Sequence, residues 1–328
     1  SWIGTTFYAN RFDSDDVTHR VLTAVQMLAI AALAVNVHHG LGETCTGFAL
    51  SYALGRVVLV VEYIRAGQHI PTARPLTTRY ATGFAIAAIL WTISPFLPSP
   101  WRFVFWALGL IIDFATPLSA RKLMLELPPH SSHLPERFGL FTIIVLGEAI
   151  VAVVDGVSEQ KWDVLTVIGA VFGLCIAFSL WWVYFDNLGG TPIQRTRTEG
   201  RIAIFNIWLY THLPLVIGIA ATGVAVELVL LSESAIALPD AVRWLLCGSV
   251  ALCYLTLGIL HRIGVIGYCK IRAKFRIGAA PIILAIAIFG KGLLPVAVIG
   301  LVAVVCAVQV VQDLSQSRPT TRLVDPEI

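Results

Sequence analysis

The stretch HLPERFGLFTIIVLGEAI, residues 133–150, decides the class of this protein. It opens with a charged cluster and continues as an apolar segment, and about 20 apolar residues suffice to cross a bilayer as a helix. One carboxylate, that of Glu148, stands inside the apolar run. An ionisable side chain within a membrane span is energetically costly, which makes Glu148 a candidate functional residue.

The spacing within this stretch places its two charged ends on one face of a helix. Arg137 and Glu148 are eleven residues apart, which is about three helical turns and returns to nearly the same direction. Phe141 and Ile144 lie between them on the same stripe. Eleven residues rise about 16 Å, so the stripe runs from the membrane surface to near the middle of a hydrocarbon core of about 30 Å.

The composition predicts an all-α, polytopic membrane protein. Of 328 residues, 57% are hydrophobic and 13% are charged, whereas a soluble protein carries about 25% charged residues. The partner implied is therefore the lipid bilayer, and a net charge of only +3 gives no reason to expect a nucleic-acid partner. The six cysteines form no CxxC or CxxH pattern and are expected to be small buried apolar residues.

Hydrophobic runs of spanning length predict about ten transmembrane helices. They lie at 17–38, 43–65, 78–97, 100–118, 136–157, 163–186, 201–230, 240–261, 276–291 and 293–312. The run at 276–291 is the shortest and the weakest of them. The sequence WIGTTFYAN at 2–10 is typical of the last turns of a further helix, so we expect that the beginning of this helix is missing.

The charges of the connections predict the orientation. Eighteen of the 23 Lys and Arg residues lie in alternate connections (11–20, 65–79, 119–137, 187–201, 262–276) and the C-terminal tail. Because positive charge is retained on the cytoplasmic side, this side is expected to be cytoplasmic. The sequence thus predicts a bacterial inner-membrane protein with a short cytoplasmic C-terminal tail.

Two parts of the chain resemble each other, which predicts an internal duplication. In both WIGTTFYANRFDSDDVTHR at 2–20 and WWVYFDNLGGTPIQRTRTEGR at 181–201, an aromatic helix end precedes an Asn, a polar loop and an Arg. We expect a first membrane repeat at 1–124, without its first helix, and a second at 125–328. With six spans each the repeats would be parallel. The alternative is the general likeness of apolar helices.

Three segments resemble the bacterial low temperature requirement A (LtrA) family. They are FYANRFDSDD at 7–16, HLPERFGLFTIIVLGEAI at 133–150 and WWVYFDN at 181–187. The resemblance covers nearly the whole chain and is most specific at 133–150. Family members usually begin with a helix of the ELFFDLVFVFA type, which is absent here. The resemblance implies a multi-spanning bacterial membrane protein and little about its substrate.

Glu148 and Arg56 are the first candidates for a proton, ion or substrate site. A buried carboxylate must be protonated, paired or exposed to a water-filled cavity, and burial favours its protonated form. Arg56 lies in the middle of the run 43–65 and stays charged, so it needs an anion. Glu148, Asp113 or a bound substrate are the alternatives for that anion. Each residue has a purely structural alternative, a bond between helices.

Further candidates are polar residues in other spans. Asp113 lies two-thirds along its run and is either a site residue or an acid of the helix end. In the run 201–230, Asn206 and Tyr210 are one turn apart, and His212 precedes Pro214. Proline-broken helices often line transporter cavities, but a single His in a span more often bonds to a neighbouring helix.

The acidic sequence RFDSDD at 11–16 predicts either a cytoplasmic gate or a helix cap. The gate candidates are Arg11, Asp13, Asp15, Asp16 and Arg137. In the gate, the acids would pair either with Arg20 or with Arg195 and Arg197. In the alternative, Asp13 or Asp16 caps the helix that follows.

No cofactor or metal is predicted. The sequence HHGLGETC at 38–45 holds metal-ligand residue types, but adjacent histidines diverge by about 100° on a helix and two glycines interrupt the spacing. HExxH, Walker-loop, GxSxG and DxxxD motifs are absent from the sequence.

The sequence favours a transporter of a small solute or ion that is coupled to protons. The argument combines repeat architecture with charges inside spans, and fold alone does not determine function. One alternative is a membrane-embedded enzyme that acts on a lipid or isoprenoid, and another is a sensor or scaffold without transport. Substrate, direction and oligomeric state are left open.

Overall fold

The computed structural model describes residues 2–12, 16–127, 133–160, 163–186, 202–264 and 269–316. Within these ranges the regular structure is helical, with no strand, which confirms the all-α class. Their α-helices, in chain order, are α1 (Trp2–Arg11), α2 (Val17–Val37), α3 (Cys45–His69), α4 (Arg74–Ile93), α5 (Trp101–Ser119), α6 (Arg121–Glu126), α7 (His133–Ser158), α8 (Val164–Phe185), α9 (Ile202–Leu231), α10 (Asp240–Gly264), α11 (Cys269–Phe289) and α12 (Pro295–Gln316). The short helix α1 confirms the helix expected at the start of the chain.

All ten predicted runs are long helices, and eight of them have the length and apolar composition of a membrane span. These eight are α2, α3, α5, α7, α8, α9, α10 and α12. Helices α4 and α11 have 20 and 21 residues but do not belong to this apolar set. That α4 and α11 also cross the bilayer stays a prediction.

The chain divides into two compact units, Ser1–Leu134 and Pro135–Ile328. Unit 1 holds α1 to α6, and its boundary lies C-terminal to the predicted division at 124. In each unit, consecutive long helices pack side by side: α2 to α5 in unit 1, and α9 to α12 in unit 2. This shared order accords with a duplication, which itself stays a prediction.

In unit 1, α3 packs against α1, α2 and α4, and α4 packs against α5. Small residues on α3 (Cys45, Ala49 and Ala53) meet the indole rings of Trp91 and Trp106, which stack with centroids 5.1 Å apart. The Trp106 indole donates to the Ser94 hydroxyl, 2.7 Å away, so this buried ring has its polar atom satisfied.

In unit 2, α10 packs between α9 and α11, and α8 packs against α12. A single apolar core of Leu, Ile, Val and Cys side chains joins these helices and includes Leu146 and Val153 of α7. At Gly218 of α9, an added Cβ would lie 2.7 Å from the Cys253 sulfur and 3.2 Å from the Ser249 carbonyl oxygen. The glycine therefore permits the close approach of α9 and α10.

The predicted start of α11 is wrong and differs from the structure more than that of any other helix. Helix α11 begins at Cys269, not at 276, so Arg272 and Arg276 lie within the helix and not in a connection. The basic residues lower the local hydropathy and conceal the helix start in the sequence. Their charges are compensated by side chains of other helices, as described below.

Candidate functional site

An ion pair in unit 1 joins two of the predicted site residues. Arg56 is the twelfth residue of the 25-residue helix α3, and its Nε lies 3.2 Å from Oδ2 of Asp113 on α5. Both side chains are buried, at 6% and 8% exposure. Asp113 thus supplies the anion that Arg56 requires, among the three alternatives.

The surroundings of this pair leave one hydrogen-bond acceptor available. The Tyr52 hydroxyl donates to Asp113 Oδ2 at 2.6 Å, and the guanidinium carbon of Arg56 lies 4.8 Å and 5.7 Å from the ring centres of Tyr52 and Phe84. Cation–π contacts of this kind stabilise a desolvated guanidinium. Asp113 Oδ1 is buried without a hydrogen-bond donor among the described residues. The site can therefore accept one further donor, from water or from a solute.

A second polar pair in unit 1 was not predicted from the sequence. Glu62 of α3 is 2% exposed, and its Oε1 lies 3.3 Å from Nδ1 of His19 on α2. The Tyr8 ring lies 5.9 Å from the His19 ring, and Tyr63 and Tyr80 stack nearby at 5.0 Å. The pair is free of net charge only when one proton is bound to the carboxyl or the imidazole, because a neutral histidine leaves the carboxylate uncompensated. An acid beside an imidazole can hold such a proton, and His19 Nδ1 has no hydrogen-bond partner among the described residues.

A third pair lies one turn closer to the end of both helices. Asp16 and Arg65 form a short ion pair, and Asp16 Oδ1 accepts from the His19 backbone N–H at 2.9 Å. The Arg65 guanidinium, followed by this N–H group, holds the pKa of Asp16 below its ordinary value. The predicted helix cap at Asp16 is confirmed, whereas its role in a gate stays a prediction.

These two pairs form a ladder between antiparallel helices. Residues 16 and 19 on one side, and 65 and 62 on the other, are each three positions apart, so the bridges are stacked one turn from each other. The ladder orients His19 and Glu62 toward each other. His19 and Glu62 are 43 positions apart in sequence, so only the packing of α2 against α3 brings them together.

The other gate residues do not assemble into a described network. Asp13, Asp15, Arg195 and Arg197 lie outside the described residues. The Arg11 Nε donates to the backbone carbonyl of Leu127 at 3.1 Å. Arg137 is exposed on α7.

Glu148 lies on the exposed face of α7, in unit 2. Its neighbours Leu146 and Ala149 point to the buried face, where Ala149 packs against Gly223 of α9. Within the described part of the chain, no hydrogen bond or ion pair of Glu148 is seen. Its role as a proton carrier stays a prediction.

The candidates on α9 lie in an aromatic environment. His212 is 3% exposed, its Nδ1 lies 2.7 Å from the Trp208 carbonyl oxygen, and the Phe138 ring centre is 4.7 Å away. Asn206 is 4% exposed, and both polar atoms of its amide lack a hydrogen-bond partner. Tyr210 is half-buried. The described hydrogen bond of His212 lies within its own helix, and Asn206 retains unused hydrogen-bonding capacity.

A cluster of ion pairs in unit 2 was also not predicted from the sequence. Arg276 is fully buried and pairs with Asp313, and its Nη1 donates to Gln309 Oε1 at 2.8 Å. Arg272 bridges Asp186 at 2.5 Å and Asp313 at 3.5 Å. The cluster joins the ends of α8, α11 and α12. Its two Arg and two Asp side chains balance in charge, which is typical of a structural tie.

Comparison with known families identifies the group of proteins to which this architecture belongs. The family model described as bacterial low temperature requirement A protein (LtrA) matches residues 1–312. The chain belongs to the LtrA family. The resemblance carried by the segments at 7–16, 133–150 and 181–187 is thereby confirmed. LtrA membership and the apolar helices together establish an integral, multi-pass membrane protein.

This LtrA protein is also similar to a curated bacterial protein. It is 24% identical, over 239 residues, to an uncharacterized protein of Rhizobium meliloti (strain 1021). The match covers 68% of this chain and 57% of that protein, so the chain spans little more than half the length of this relative. No solved structure matches the chain.

Proposed function

We propose that this LtrA-family protein transports a small solute or ion across the bacterial cytoplasmic membrane and couples transport to protons. The observation that carries the proposal is the contact between buried Glu62, toward the end of α3, and half-buried His19, near the beginning of α2. Ionisable residues inside membrane proteins often mark proton or substrate pathways. The distribution of Lys and Arg supports a cytoplasmic location for this end and for the C-terminus.

In this proposal the ladder between α2 and α3 is the coupling element. Loss of the proton from the His19–Glu62 pair leaves a buried carboxylate without a counter-charge, and Arg65, one turn along α3, is a cation that can compensate it. Glu62 then competes with Asp16 for Arg65. Weakening of the Asp16–Arg65 bridge releases the ends of α2 and α3, and this step is the proposed gate. Arg11, Asp13, Asp15 and Arg137 would belong to the same cytoplasmic gate.

The Arg56–Asp113 pair is the proposed solute or counter-charge site. It lies six residues from Glu62 along α3, a rise of about 9 Å. The unused oxygen of Asp113 supports binding of a solute with a hydrogen-bond donor. In unit 2, Glu148 is proposed as a second proton-carrying acid, and Asn206, Tyr210 and His212 as polar residues of the pathway.

The test is proton flux into liposomes that contain the purified protein, driven by an imposed pH gradient. We expect flux above that of empty liposomes for the wild type, and flux close to the empty-liposome level for Glu62→Gln and for His19→Gln. Glu43→Gln, which changes an exposed acid in the loop between α2 and α3, is the matched control and should behave as the wild type.

Two results would contradict the proposal. Equal flux in the wild type and in both variants would remove the His19–Glu62 pair from the proton pathway. Absence of proton flux from the wild type under any solute gradient would favour a scaffold without transport. The ion pairs would then only hold the helices together. Glu148→Gln in the same assay decides the role of Glu148, since unchanged flux would exclude it from the pathway.

A further inference from the structure

A groove on the surface of unit 1 lies between the end of α3 and the beginning of α4. It has a volume of about 370 Å³ and is lined by residues of these two helices alone. The lining residues include Ile64, Gln68, Arg74, Thr78, Ala81 and Ala85. The two helices are joined by a short turn at 70–73, so one end of the groove lies at a membrane surface. By the distribution of charged loops, this surface is the cytoplasmic one.

The polarity of the groove changes along its length. At the surface end it presents the exposed side chains of Gln68, Arg74 and Thr78, and deeper in the membrane it presents Ile64 and Ala85. From residue 74 to residue 85 the helix rises about 16 Å, about half of a hydrocarbon core. The groove is therefore polar at the level of headgroups and apolar at the level of acyl chains.

The hydroxyl groups of the other two threonines in the groove do not alter this gradient. Thr82 donates its hydroxyl to the Thr78 carbonyl oxygen at 2.8 Å, and Thr77 donates to the Arg74 carbonyl oxygen at 3.2 Å. Both hydroxyls are thus engaged by the backbone of their own helix. The remaining surfaces of these threonines toward the groove are apolar.

The charge of Arg74 is available for a ligand. Its side chain is exposed, and no ion pair of Arg74 with an acidic side chain is seen among the described residues. Arg65, on the neighbouring turn of α3, is by contrast paired with Asp16. An unpaired guanidinium at a membrane surface attracts phosphate groups, which it binds through two parallel hydrogen bonds.

We infer that this groove binds one anionic phospholipid of the cytoplasmic leaflet. Arg74, assisted by Gln68 and Thr78, holds the phosphate of the headgroup, and an acyl chain lies along Ile64, Ala81 and Ala85. The occupant is a lipid and not a soluble phosphate because the apolar half of the groove continues into the hydrocarbon region. The site is independent of the proposed transport activity.

The test is native mass spectrometry of the full-length protein extracted with phosphatidylglycerol and phosphatidylcholine in equal amounts. We expect the wild type to retain one phosphatidylglycerol molecule in preference to phosphatidylcholine. For Arg74→Gln we expect about fivefold weaker binding of phosphatidylglycerol, from the contribution of one surface arginine near anionic lipid. Arg74→Lys, which keeps the charge, should retain most of the preference.

Matched variants separate this site from general electrostatic attraction. Arg262→Gln removes an exposed arginine from the end of α10 and should leave the binding unchanged. Ala85→Phe fills the deep end of the groove without a change of charge, and should reduce the retention of both lipids. Its folding is checked by size-exclusion chromatography, and Arg74→Gln alone suffices if Ala85→Phe does not fold.

Three outcomes would overturn the inference. Equal loss of lipid in Arg74→Gln and Arg262→Gln would indicate a diffuse charge effect. Unchanged retention in Arg74→Gln would exclude the arginine as the headgroup ligand. Displacement of the lipid by millimolar inorganic phosphate would show that the groove recognises the phosphate group alone.

Discussion

At the scale of residues, the pair of Arg56 and Asp113 illustrates how a membrane helix tolerates a permanent charge. Arg56 cannot lose its proton, whereas Asp113 can gain one. Removal of the carboxylate therefore leaves a buried cation, and removal of the guanidinium leaves a carboxyl group that protonation can neutralise. The two single changes are expected to differ in their effect.

We predict that Asp113→Asn lowers the unfolding free energy by about 3–5 kcal/mol, the range for a buried pair that loses one partner. Arg56→Met should lower it less, and the double variant should recover most of the loss. The measurement is unfolding in mixed micelles. Exposed Arg262 serves as the control, since Arg262→Gln should stay within about 0.5 kcal/mol of the wild type. A double variant no better than Asp113→Asn would refute the argument.

The cap of α8 gives a prediction about pH. The Thr166 backbone N–H donates to Asp163 at 2.7 Å and holds the pKa of this carboxyl below its ordinary value. The folded state therefore favours the ionised form, and the stabilisation is present above about pH 4 and is lost as the pH falls through the lowered pKa.

Asp163→Asn keeps a capping oxygen but has no titrating group at this position. We therefore predict that its Tm lacks the loss of stabilisation that protonation of Asp163 causes in acid. The difference between the wild type and Asp163→Asn should therefore shrink in acid. Thermal unfolding between pH 3 and pH 7 measures it. A constant difference over this range would contradict the assigned cause.

Residues of the site were predictable from sequence to different degrees. Arg56 had to have an anion because its charge is permanent, and Asp113 was one of three alternatives. The contact of His19 with Glu62 was not predictable, since it depends on the register between α2 and α3. Glu62 lies near the end of an apolar run, where exposed glutamates are common. The sequence therefore gave no indication that this glutamate is buried.

At the scale of elements, glycines show where two helices approach closely. At Gly258 of α10, an added Cβ would lie 2.6 Å from the Ile277 side chain and 3.2 Å from the Ile277 backbone nitrogen. At Gly248, on the same helix, an added Cβ would meet nothing within 4 Å. The two positions form a matched pair.

We predict opposite effects for the two alanine substitutions. Gly248→Ala should raise the unfolding free energy by up to about 1 kcal/mol, through the higher helix propensity of alanine. Gly258→Ala should lower it by about 1–3 kcal/mol, because the helices α10 and α11 must move apart. Unfolding in mixed micelles provides the comparison. Equal stabilisation at both positions would mean that α10 and α11 are not in close contact at Gly258.

Helices were predictable as elements, and their limits less so: α4 spans Arg74–Ile93 and not 78–97, and α11 begins before residue 276. Hydropathy located all ten long helices because each carries an apolar run. It missed the beginning of α11, where Arg272 and Arg276 are compensated by Asp186 and Asp313. Charges that are neutralised by distant residues lower local hydropathy without ending a helix.

At the scale of the whole molecule, the alternation of charged connections predicts which loops face the cytoplasm. In a cysteine-free background, cysteines placed at Gly42 and Lys291 should react with a membrane-impermeant maleimide added to spheroplasts. A cysteine at Thr72 should react only after the cells are opened. All three positions are exposed. Labelling of Thr72→Cys in intact spheroplasts would reverse the orientation.

The proposed transport depends on one proton that is bound to either His19 or Glu62. Infrared difference spectroscopy of the purified protein, recorded during a pH titration, detects the C=O stretch of a protonated carboxyl group directly. We predict a band that titrates in the wild type, changes its midpoint in His19→Gln and is lost in Glu62→Gln. A spectrum of Glu62→Gln that matches the wild type at every pH would contradict the account.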